Sequence, residues 1–224
     1  MSVMVATGRA ATQGVLFRDA AAIENLRKID TLIVDKTGTL TEGRPRFDHA
    51  FAAPGYSADE VLRVAASLDQ GSEHPLAESI VKAAHERGWT LEKADGFESV
   101  TGRGVTGRIG GKSVALGNGA LMAQLGVHMD TLQSQGEALR ATGASVMMLA
   151  IDGRAAGGLA VSDPIKASTA EALASLVADG IRVIMATGDG PTTAQAVGAV
   201  LKIADVRGGV QPADKLALVD SLQR

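Results

Sequence analysis

The amino-acid sequence predicts an α/β fold in which a parallel sheet is interrupted by an inserted α+β domain. The run 32–34 is short, apolar and β-branched and precedes a turn of Gly and Thr, which predicts a strand buried in a parallel sheet. After Pro164, helical segments alternate with a second such run at 182–186, the pattern of βαβ units. Residues 45–155 instead combine helices with alternating, Gly-punctuated strands. The simplest organisation is therefore an α/β domain that a second domain splits in sequence.

The elements of each part follow from apolar periodicity and turn residues. Residues 1–25 are rich in Ala with apolar residues at helical spacing, and 44–57 are expected to form a linker and loop. The inserted part is predicted to contain, in order, helices at 58–68 and 73–87, antiparallel strands within 97–116, a helix at 120–142 and a hairpin that turns at Asp152 and Gly153. The last part is predicted to contain a helix at 168–178, a strand at 182–186, a helix at 192–201, a short strand at 203–206 and a helix at 213–222.

The composition excludes several classes of protein. Of the 224 residues, 22 are Lys or Arg and 25 are Asp or Glu, and the net charge of −3 offers no broad positive surface to nucleic acid. The absence of Cys excludes a disulfide scaffold, a thiolate metal site and a cysteine nucleophile. No apolar run approaches the roughly 18–20 residues of a membrane-spanning helix. These values predict a soluble globular chain.

An aspartate stands where the first parallel strand ends. Asp35 follows this strand directly, and small hydroxyl residues and Gly38 come after it. Open α/β sheets bind ligands at the carboxyl ends of their strands. The arrangement offers a carboxylate nucleophile beside backbone N–H groups that can cradle a phosphoryl group. Taken alone, the aspartate could equally cap a strand-to-helix turn.

The whole segment 35–43 reads D-K-T-G-T-L-T-E-G and resembles the phosphorylation signature of P-type ATPases, whose catalytic core is of the haloacid dehalogenase type. The resemblance implies a Rossmann-like parallel sheet and an Asp35 that accepts the γ-phosphate of ATP as an aspartyl phosphate, with Lys36 and Thr37 in the same catalytic loop. Phosphatases of this superfamily generally carry a second Asp, a general acid–base, at the position of Thr37. Because a hydroxyl cannot take that role at neutral pH, we expect slow hydrolysis of the phosphoenzyme.

Two further segments resemble phosphate-side motifs of the same family. The T-G-D segment at 187–189 follows the predicted strand at 182–186, and taken alone it indicates only a strand-to-helix turn. The resemblance implies that Thr187 bonds the phosphoryl oxygens, while Gly188 and Asp189 order the loop or meet the nucleotide. Lys215, in itself an ordinary surface charge, resembles the lysine that neutralises phosphoryl charge.

Phosphoryl transfer implies Mg²⁺, which bridges phosphate oxygens and takes oxygen ligands. The resemblance implies ATP as the substrate, and it implies the Asp35 carboxylate and the Thr37 main-chain carbonyl as protein ligands of the ion. The family takes a third ligand from a G-D-G-x-N-D segment shortly after the helix of Lys215, whereas the sequence given ends at Arg224. We therefore expect a C-terminally truncated sheet and impaired phosphorylation.

The hexamer at 72–77, S-E-H-P-L-A, resembles a motif of the heavy-metal-transporting branch of P-type ATPases. The resemblance implies that His74 lies against the adenine and that Glu73 helps to fix it. Taken alone, a histidine before a proline is an indifferent helix-start residue. Asp69 stands where the family places an acidic residue that contacts the adenine, although the usual residue there is Glu.

Three residues match the remaining nucleotide-binding elements of that branch. Gly102 and Gly104 lie in a G-R-G-V segment, and Asn118 follows Gly117. The resemblance implies that the glycines let the ribose and phosphate lie against the backbone, because no Cβ intervenes. It also implies that Asn118 completes the pocket. A G-x-G pattern by itself most often marks only a turn.

The predicted function is that of the ATP-binding and autophosphorylation part of a heavy-metal-exporting P-type ATPase, with copper as the first candidate. Zinc, cadmium or lead pumps of the same branch are the near alternative. A free-standing haloacid dehalogenase-type phosphatase is the alternative of a different class, against which Thr37 and the long inserted domain weigh. A nucleotide-binding regulatory module without catalysis is a third class.

The resemblance also implies how this part connects to a larger pump. Residues 1–26 resemble the stalk after a transmembrane helix, 27–44 and 156–224 two parts of a phosphorylation domain, and 45–155 a nucleotide-binding domain. The implied partners are the actuator and transmembrane domains of the same pump, a multi-pass membrane protein with this region in the cytoplasm. A truncated sheet leaves the strand before Asp35 as an exposed edge, so we expect dimerisation or strand exchange.

Overall fold

The computed structural model describes residues 3–26 and 28–223. Predicted boundaries that fall on residues 1, 27 and 224 therefore lie outside the described residues. The strands are β1 (Thr31–Val34), β2 (Arg46–Ala52), β3 (Asp95–Val100), β4 (Gly104–Ile109), β5 (Lys112–Gly117), β6 (Ser145–Ile151), β7 (Arg154–Ser162), β8 (Arg182–Ala186) and β9 (Asp205–Arg207). The helices are α1 (Val3–Thr12), α2 (Ala20–Leu26), α3 (Ala58–Asp69), α4 (Pro75–Glu86), α5 (Gly119–Gln124), α6 (Asp130–Arg140), α7 (Thr169–Ala178), α8 (Pro191–Leu201) and α9 (Pro212–Leu222).

A parallel sheet of order β1-β8-β9 forms the core of the first domain, as the sequence predicts. Successive side chains of β8 point to opposite faces. Met185 packs with Val197 and other residues of the α7–α8 layer, whereas Ile184 packs with Leu218 of α9 on the other face. Helices thus cover both faces of the sheet, and Asp35 lies where β1 ends.

An antiparallel sheet of order β2-β7-β6-β5-β4-β3 forms the core of the second domain. On one face, Leu62 of α3 and Ile80 of α4 pack with Leu149 and Leu159 of the central strands. On the other face, Leu121 of α5 packs in a second cluster with residues of β2, β5, β6 and β7, together with residues of α6. This domain is therefore the predicted α+β insertion.

Two expectations for the insertion are corrected by strand pairing. The predicted linker 44–57 contains β2, which pairs with β7 from Arg46↔Ser162 to Ala52↔Gly157. Its flanking prolines lie outside the strand and do not interrupt it. The predicted boundary at 155/156 falls inside β7, all of which belongs to the antiparallel sheet. We therefore place the end of the insertion after Ser162.

Turn chemistry explains two other outcomes. The predicted hairpin at Asp152 and Gly153 is confirmed, since both residues adopt positive φ (48° and 72°) between β6 and β7. The helix predicted at 120–142 is two helices, α5 and α6. Gly126, with φ of 67°, stands in the connection between them.

Two connections cross side by side between the domains. Glu42 N–H donates to the Pro164 carbonyl (2.8 Å), and Lys166 N–H donates to the Leu40 carbonyl (3.1 Å). Thr41 and Ile165 form an isolated antiparallel bridge between them. This pair of connections is called the hinge below, because residues 40–45 and 163–166 join the two domains.

Within the described residues, β1 forms one edge of the parallel sheet and pairs with β8 alone. The edge of the sheet is the position predicted for the strand that precedes Asp35. None of the helices in the described ranges is both long and apolar enough to cross a bilayer.

Candidate functional site

A cavity of about 620 Å³ lies between the two domains. It is lined by residues of the strand ends of the parallel sheet, of the hinge and of the antiparallel domain. Of the predicted site residues, Glu73 does not line it, and the others do, namely Asp35, Lys36, Thr37, Asp69, His74, Gly102, Gly104, Asn118, Thr187, Gly188, Asp189 and Lys215. The fold thus gathers side chains that are far apart in sequence around one cavity.

Asp35 and Lys215 form an ion pair where the parallel-sheet domain lines the cavity. The Lys215 Nζ lies 2.7 Å from Asp35 Oδ1, although the two residues are 180 positions apart. Their side chains are 37% and 43% exposed, so a reactant entering the cavity can reach the carboxylate. Lys215 therefore brings positive charge to the place where a phosphoryl group on Asp35 would stand.

A single turn at 36–40 follows Asp35. Gly38 adopts φ of 75°, a conformation that favours glycine, and its N–H donates to the Thr41 hydroxyl (3.2 Å). The same hydroxyl donates to Asp163 Oδ2 (2.5 Å), a charge-assisted bond that joins the two connections of the hinge. Lys166 reaches back from the hinge, and its ammonium donates to the Gly38 carbonyl (2.7 Å). The hinge thereby holds the backbone beside the candidate nucleophile.

Asp189 is the centre of a buried network. Its Oδ2 lies 2.6 Å from Lys36 Nζ and accepts from the Thr187 hydroxyl (2.8 Å), and its Oδ1 accepts from the Ser145 hydroxyl (2.7 Å). Burial acts to raise the pKa of Asp189, but the Lys36 charge and the three hydrogen bonds outweigh it, so the pKa lies below its ordinary value. The carboxylate is therefore ionised at neutral pH and holds its three donors in place.

This network defines what Thr187 and Asp189 do in this structure. A hydroxyl has one hydrogen to donate, and that of Thr187 goes to Asp189. Two roles were predicted for Asp189, to order the loop or to meet the nucleotide. Its contacts fit the first of these roles. At the adjacent Gly188, the position of a Cβ has one neighbour within 4 Å among the described residues, the Val210 carbonyl oxygen at 3.9 Å. The backbone of Gly188 is therefore open to the cavity that it lines.

His74 lines the cavity from the antiparallel domain, at the start of α4. Its Nδ1 accepts a hydrogen bond from the Leu76 N–H (3.2 Å), so the ring caps the helix that Pro75 begins. The ring is exposed on the side of the cavity. Glu73 is exposed beside it but does not line the cavity. Of the predicted pair Glu73 and His74, the cavity therefore includes His74 and not Glu73.

Asp69 is a buried carboxyl group in the wall of the cavity. The residue is 4% exposed, and its Oδ2 has no hydrogen-bond partner among the described residues. Burial raises its pKa from 3.8 to about 7. An unpartnered buried oxygen is costly unless a ligand or a proton satisfies it. Asp69 can therefore receive a hydrogen-bond donor from a molecule in the cavity.

Gly102 and Gly104 line the cavity, and Gly104 is also required by the packing of the antiparallel sheet. A Cβ on Gly104, whose φ is 148°, would lie 2.2 Å from the Leu116 carbonyl oxygen on the neighbouring strand. The close approach of β4 and β5 thus requires glycine at this position, independently of any ligand. Gly102, with φ of 69°, faces the side chain of Gln211 from the other domain.

Asn118 holds the same corner together. Its side-chain oxygen accepts from the N–H groups of Ala120 and Leu121 (both 3.1 Å) and caps α5, while its amide donates to the Gly102 carbonyl (2.9 Å). These bonds use the side chain to shape the cavity wall. A role in contact with a nucleotide stays a prediction.

The chemistry of the donor set allows Mg²⁺ at Asp35. Among the described residues no cluster of three or more His, Asp or Glu side chains could hold a metal by itself. Mg²⁺ usually takes one or two carboxylates and completes its shell with waters and substrate phosphates. One partly exposed carboxylate, with the main-chain carbonyl of Thr37 two residues on, fits an ion that binds with a phosphate ligand.

Asp35 and Thr187 directly follow strands of the parallel sheet, and Lys215 of α9 lies beside Asp35. Comparison with known proteins identifies the family to which this chain belongs. The profile of haloacid dehalogenase-like hydrolases matches residues 29–224, so the chain belongs to that family. It is 51% identical over its whole length to a copper-transporting P-type ATPase of Rhizobium leguminosarum bv. viciae and 42% identical to a silver exporting P-type ATPase of Salmonella typhimurium. The resemblance that the motifs predicted is confirmed.

The chain spans about a quarter of these relatives, 26% and 27% of their lengths. Among solved structures, a zinc-transporting PIB-type ATPase in its E2.Pi state superposes on 99% of this chain and 36% of its own, with a TM-score of 0.67 and 29% identity. The catalytic domain of a CPx-ATPase superposes on 97% of this chain and 75% of its own, with a TM-score of 0.73 and 24% identity. The predicted fold class is thereby confirmed.

Sequence reasoning missed Ser145, Gln211 and Lys166. Ser145 and Gln211 line the cavity, and Lys166 binds the turn after Asp35. A polar residue at a strand start or a helix start carries no signal of its own in one sequence. For Lys166, the one sequence signal is its position two residues after Pro164, the residue at which the pattern of the parallel-sheet domain resumes.

Proposed function

We propose that this chain is the ATP-binding and autophosphorylation part of a heavy-metal-exporting P-type ATPase, with an aspartyl phosphate formed on Asp35. The observation that carries the proposal is the shared cavity, which the parallel-sheet domain lines with the Asp35–Lys215 pair and the antiparallel domain lines with His74 and Asp69, whose Oδ2 is unpartnered within the described residues. A nucleotide whose base binds to the antiparallel domain would present its phosphates to the parallel-sheet domain.

In this proposal the residues of the chain bind and orient ATP, and Mg²⁺ supplies charge neutralisation on the phosphate oxygens. Asp35 is the nucleophile, and Lys215 stabilises the negative charge that develops on the transferred group. Lys36 is held by Asp189 beside the same loop. Asp35 and the Thr37 carbonyl are the proposed ligands of the ion, and Thr187 and Gly188 the proposed phosphate-side surface.

Copper is the proposed cargo because relatives named as copper pumps align with the whole chain at 51% and 44% identity. Silver and zinc are named for other matches, so the zinc, cadmium or lead branch is the second candidate. A free-standing phosphatase of the same family is disfavoured, because Thr37 stands where a second Asp would act. The proposed setting is the cytoplasmic side of a multi-pass membrane pump, whose actuator and transmembrane domains are the partners.

Replacing His74 tests whether the antiparallel domain binds the base. We expect His74→Asn to weaken ATP binding roughly tenfold in calorimetric titration with Mg²⁺, since a stacked base contributes about 1–3 kcal/mol. Asparagine is a good N-cap, so this variant removes the ring while keeping the cap of α4. The exposed His128, changed to alanine, is the matched control. Wild-type affinity in His74→Asn would contradict an adenine site here.

The free edge of β1 provides a second test. Residues 31–34 leave one side of the strand unpaired within the described residues, which favours pairing with a second copy. We propose dimerisation or strand exchange through this edge and expect light scattering to show a concentration-dependent dimer. Ile33→Pro, which disrupts the pairing edge, should reduce it. A monomer at all concentrations would contradict the proposal.

A further inference from the structure

Apart from the hinge, the two domains touch at a second place. The Thr193 hydroxyl of α8 donates to the Ala144 carbonyl (2.8 Å), just before β6. The neighbouring Thr192 hydroxyl bonds the Glu137 carboxylate on α6. Together with the bond from Ser145 to Asp189, these contacts join the start of β6 and the end of α6 to the loop and helix that follow β8.

The contact between Thr193 and Ala144 and the ion pair of Asp189 are largely buried. Thr193 and Ala144 are each 2% exposed, so separating them would leave a donor and an acceptor without partners unless water enters. The side chain of Asp189 is 15% exposed, and the side chain of its ion-pair partner Lys36 is 5% exposed. The second contact between the domains is therefore specific, and it reaches the site itself.

The bond from Ser145 fixes the rotation of the Asp189 carboxylate. With Oδ1 bound to Ser145, Oδ2 faces Lys36 Nζ at 2.6 Å and the Thr187 hydroxyl at 2.8 Å. Ser145 belongs to the antiparallel domain, whereas the other three residues belong to the parallel-sheet domain. One acceptor position of Asp189 is thus satisfied only while the two domains stand in this arrangement.

We propose that Ser145 and Thr193 form a latch by which the relative arrangement of the two domains sets the orientation of Asp189 and, through it, of Lys36. Ser145 is a positioning residue, since it acts on the site through Asp189. Opening of the domains breaks both latch bonds and frees the carboxylate to rotate. In its link to catalysis this inference rests on the proposed function, because it takes the cavity between the domains to be the nucleotide site.

The chain contains no Cys, so spin labels can be placed at will. We would label Arg63→Cys on α3 and Ser175→Cys on α7, both exposed, and measure the distance between the labels by pulsed electron paramagnetic resonance. The wild-type background is expected to give one narrow distribution. Ser145→Ala and Thr193→Val should broaden it, with a roughly tenfold fall in the ratio of latched to unlatched molecules.

Two controls accompany these variants. Ser145→Thr keeps the hydroxyl in a strand position that tolerates Thr, so it should keep the wild-type distribution. Ser113→Ala removes an exposed serine from neighbouring β5 and should do the same. Unchanged distributions in both Ser145→Ala and Thr193→Val would overturn the latch, as would an equally broad one in Ser145→Thr.

Titration of the same labelled proteins with ATP and Mg²⁺ separates this proposal from the proposed function. Distances that depend on Ser145 in a chain that binds no ATP would support the latch and contradict the nucleotide site. ATP binding with distances indifferent to Ser145 and Thr193 would contradict the latch alone.

Discussion

Asp69→Asn is expected to remove a pH dependence of stability that amounts to roughly 4 kcal/mol in the native protein. The pKa of this carboxyl group is about 7 in the folded chain, against an ordinary value of 3.8 that applies when the chain is unfolded. Between these values the folded state binds a proton that the unfolded state has lost. The contribution of Asp69 to stability is therefore fully present below pH 4 and is lost as the pH rises through 7.

The measurement is the free energy of unfolding by urea from pH 4 to pH 8.5, compared between the native protein and the variant. Asp189 and other carboxylates impose their own dependence, with the opposite sign for a lowered pKa, so the difference between the two proteins is what isolates Asp69. Asp59→Asn, exposed on the same helix, should keep the native slope. Parallel slopes for Asp69→Asn and the native protein would contradict a buried, unpartnered carboxyl.

The regular elements of the parallel-sheet domain were predictable because their signals are local. The strand β8 has the bounds predicted. Helices α8 and α9 end where predicted and begin one residue before the predicted starts, because a proline is accepted at the first helical position. The hairpin through Asp152 and Gly153 was predictable for the same reason. In contrast, β2 is an edge strand whose identity depends on pairing with β7, more than a hundred residues later, and prolines on either side made it resemble a loop.

The site was predictable where residues form contiguous motifs, and incomplete where contacts span the domains. Resemblance named Asp35, Asp189 and Lys215, but the bond from Ser145 to Asp189 joins residues 44 positions apart and has no motif. The sequence also did not predict the structural roles of the motif residues. Gly104 is required by the carbonyl of Leu116 on the next strand, a contact that no linear pattern reports.

Two ion pairs of nearly equal length in this site should differ greatly in their contribution to stability. The pair of Lys36 and Asp189 spans 2.6 Å with side chains 5% and 15% exposed, and the pair of Lys215 and Asp35 spans 2.7 Å with side chains 37% and 43% exposed. Removing one partner of a buried pair leaves an uncompensated charge and costs about 3–5 kcal/mol. Exposed pairs contribute about 0–1 kcal/mol, since water and salt screen them.

We therefore expect Lys36→Met to lower the free energy of unfolding by about 3–5 kcal/mol and Lys215→Met to lower it by less than about 1 kcal/mol, both measured by urea at pH 7.5. Acidification should reduce the difference between the losses of the two variants. As the pH falls through the lowered pKa of Asp189, its carboxylate becomes protonated and its charge is no longer uncompensated in the absence of Lys36. Equal losses in the two variants would contradict the burial difference. The weak pair is the one that contains the candidate nucleophile, so Lys215 can turn from Asp35 to an incoming phosphoryl group at little cost in stability.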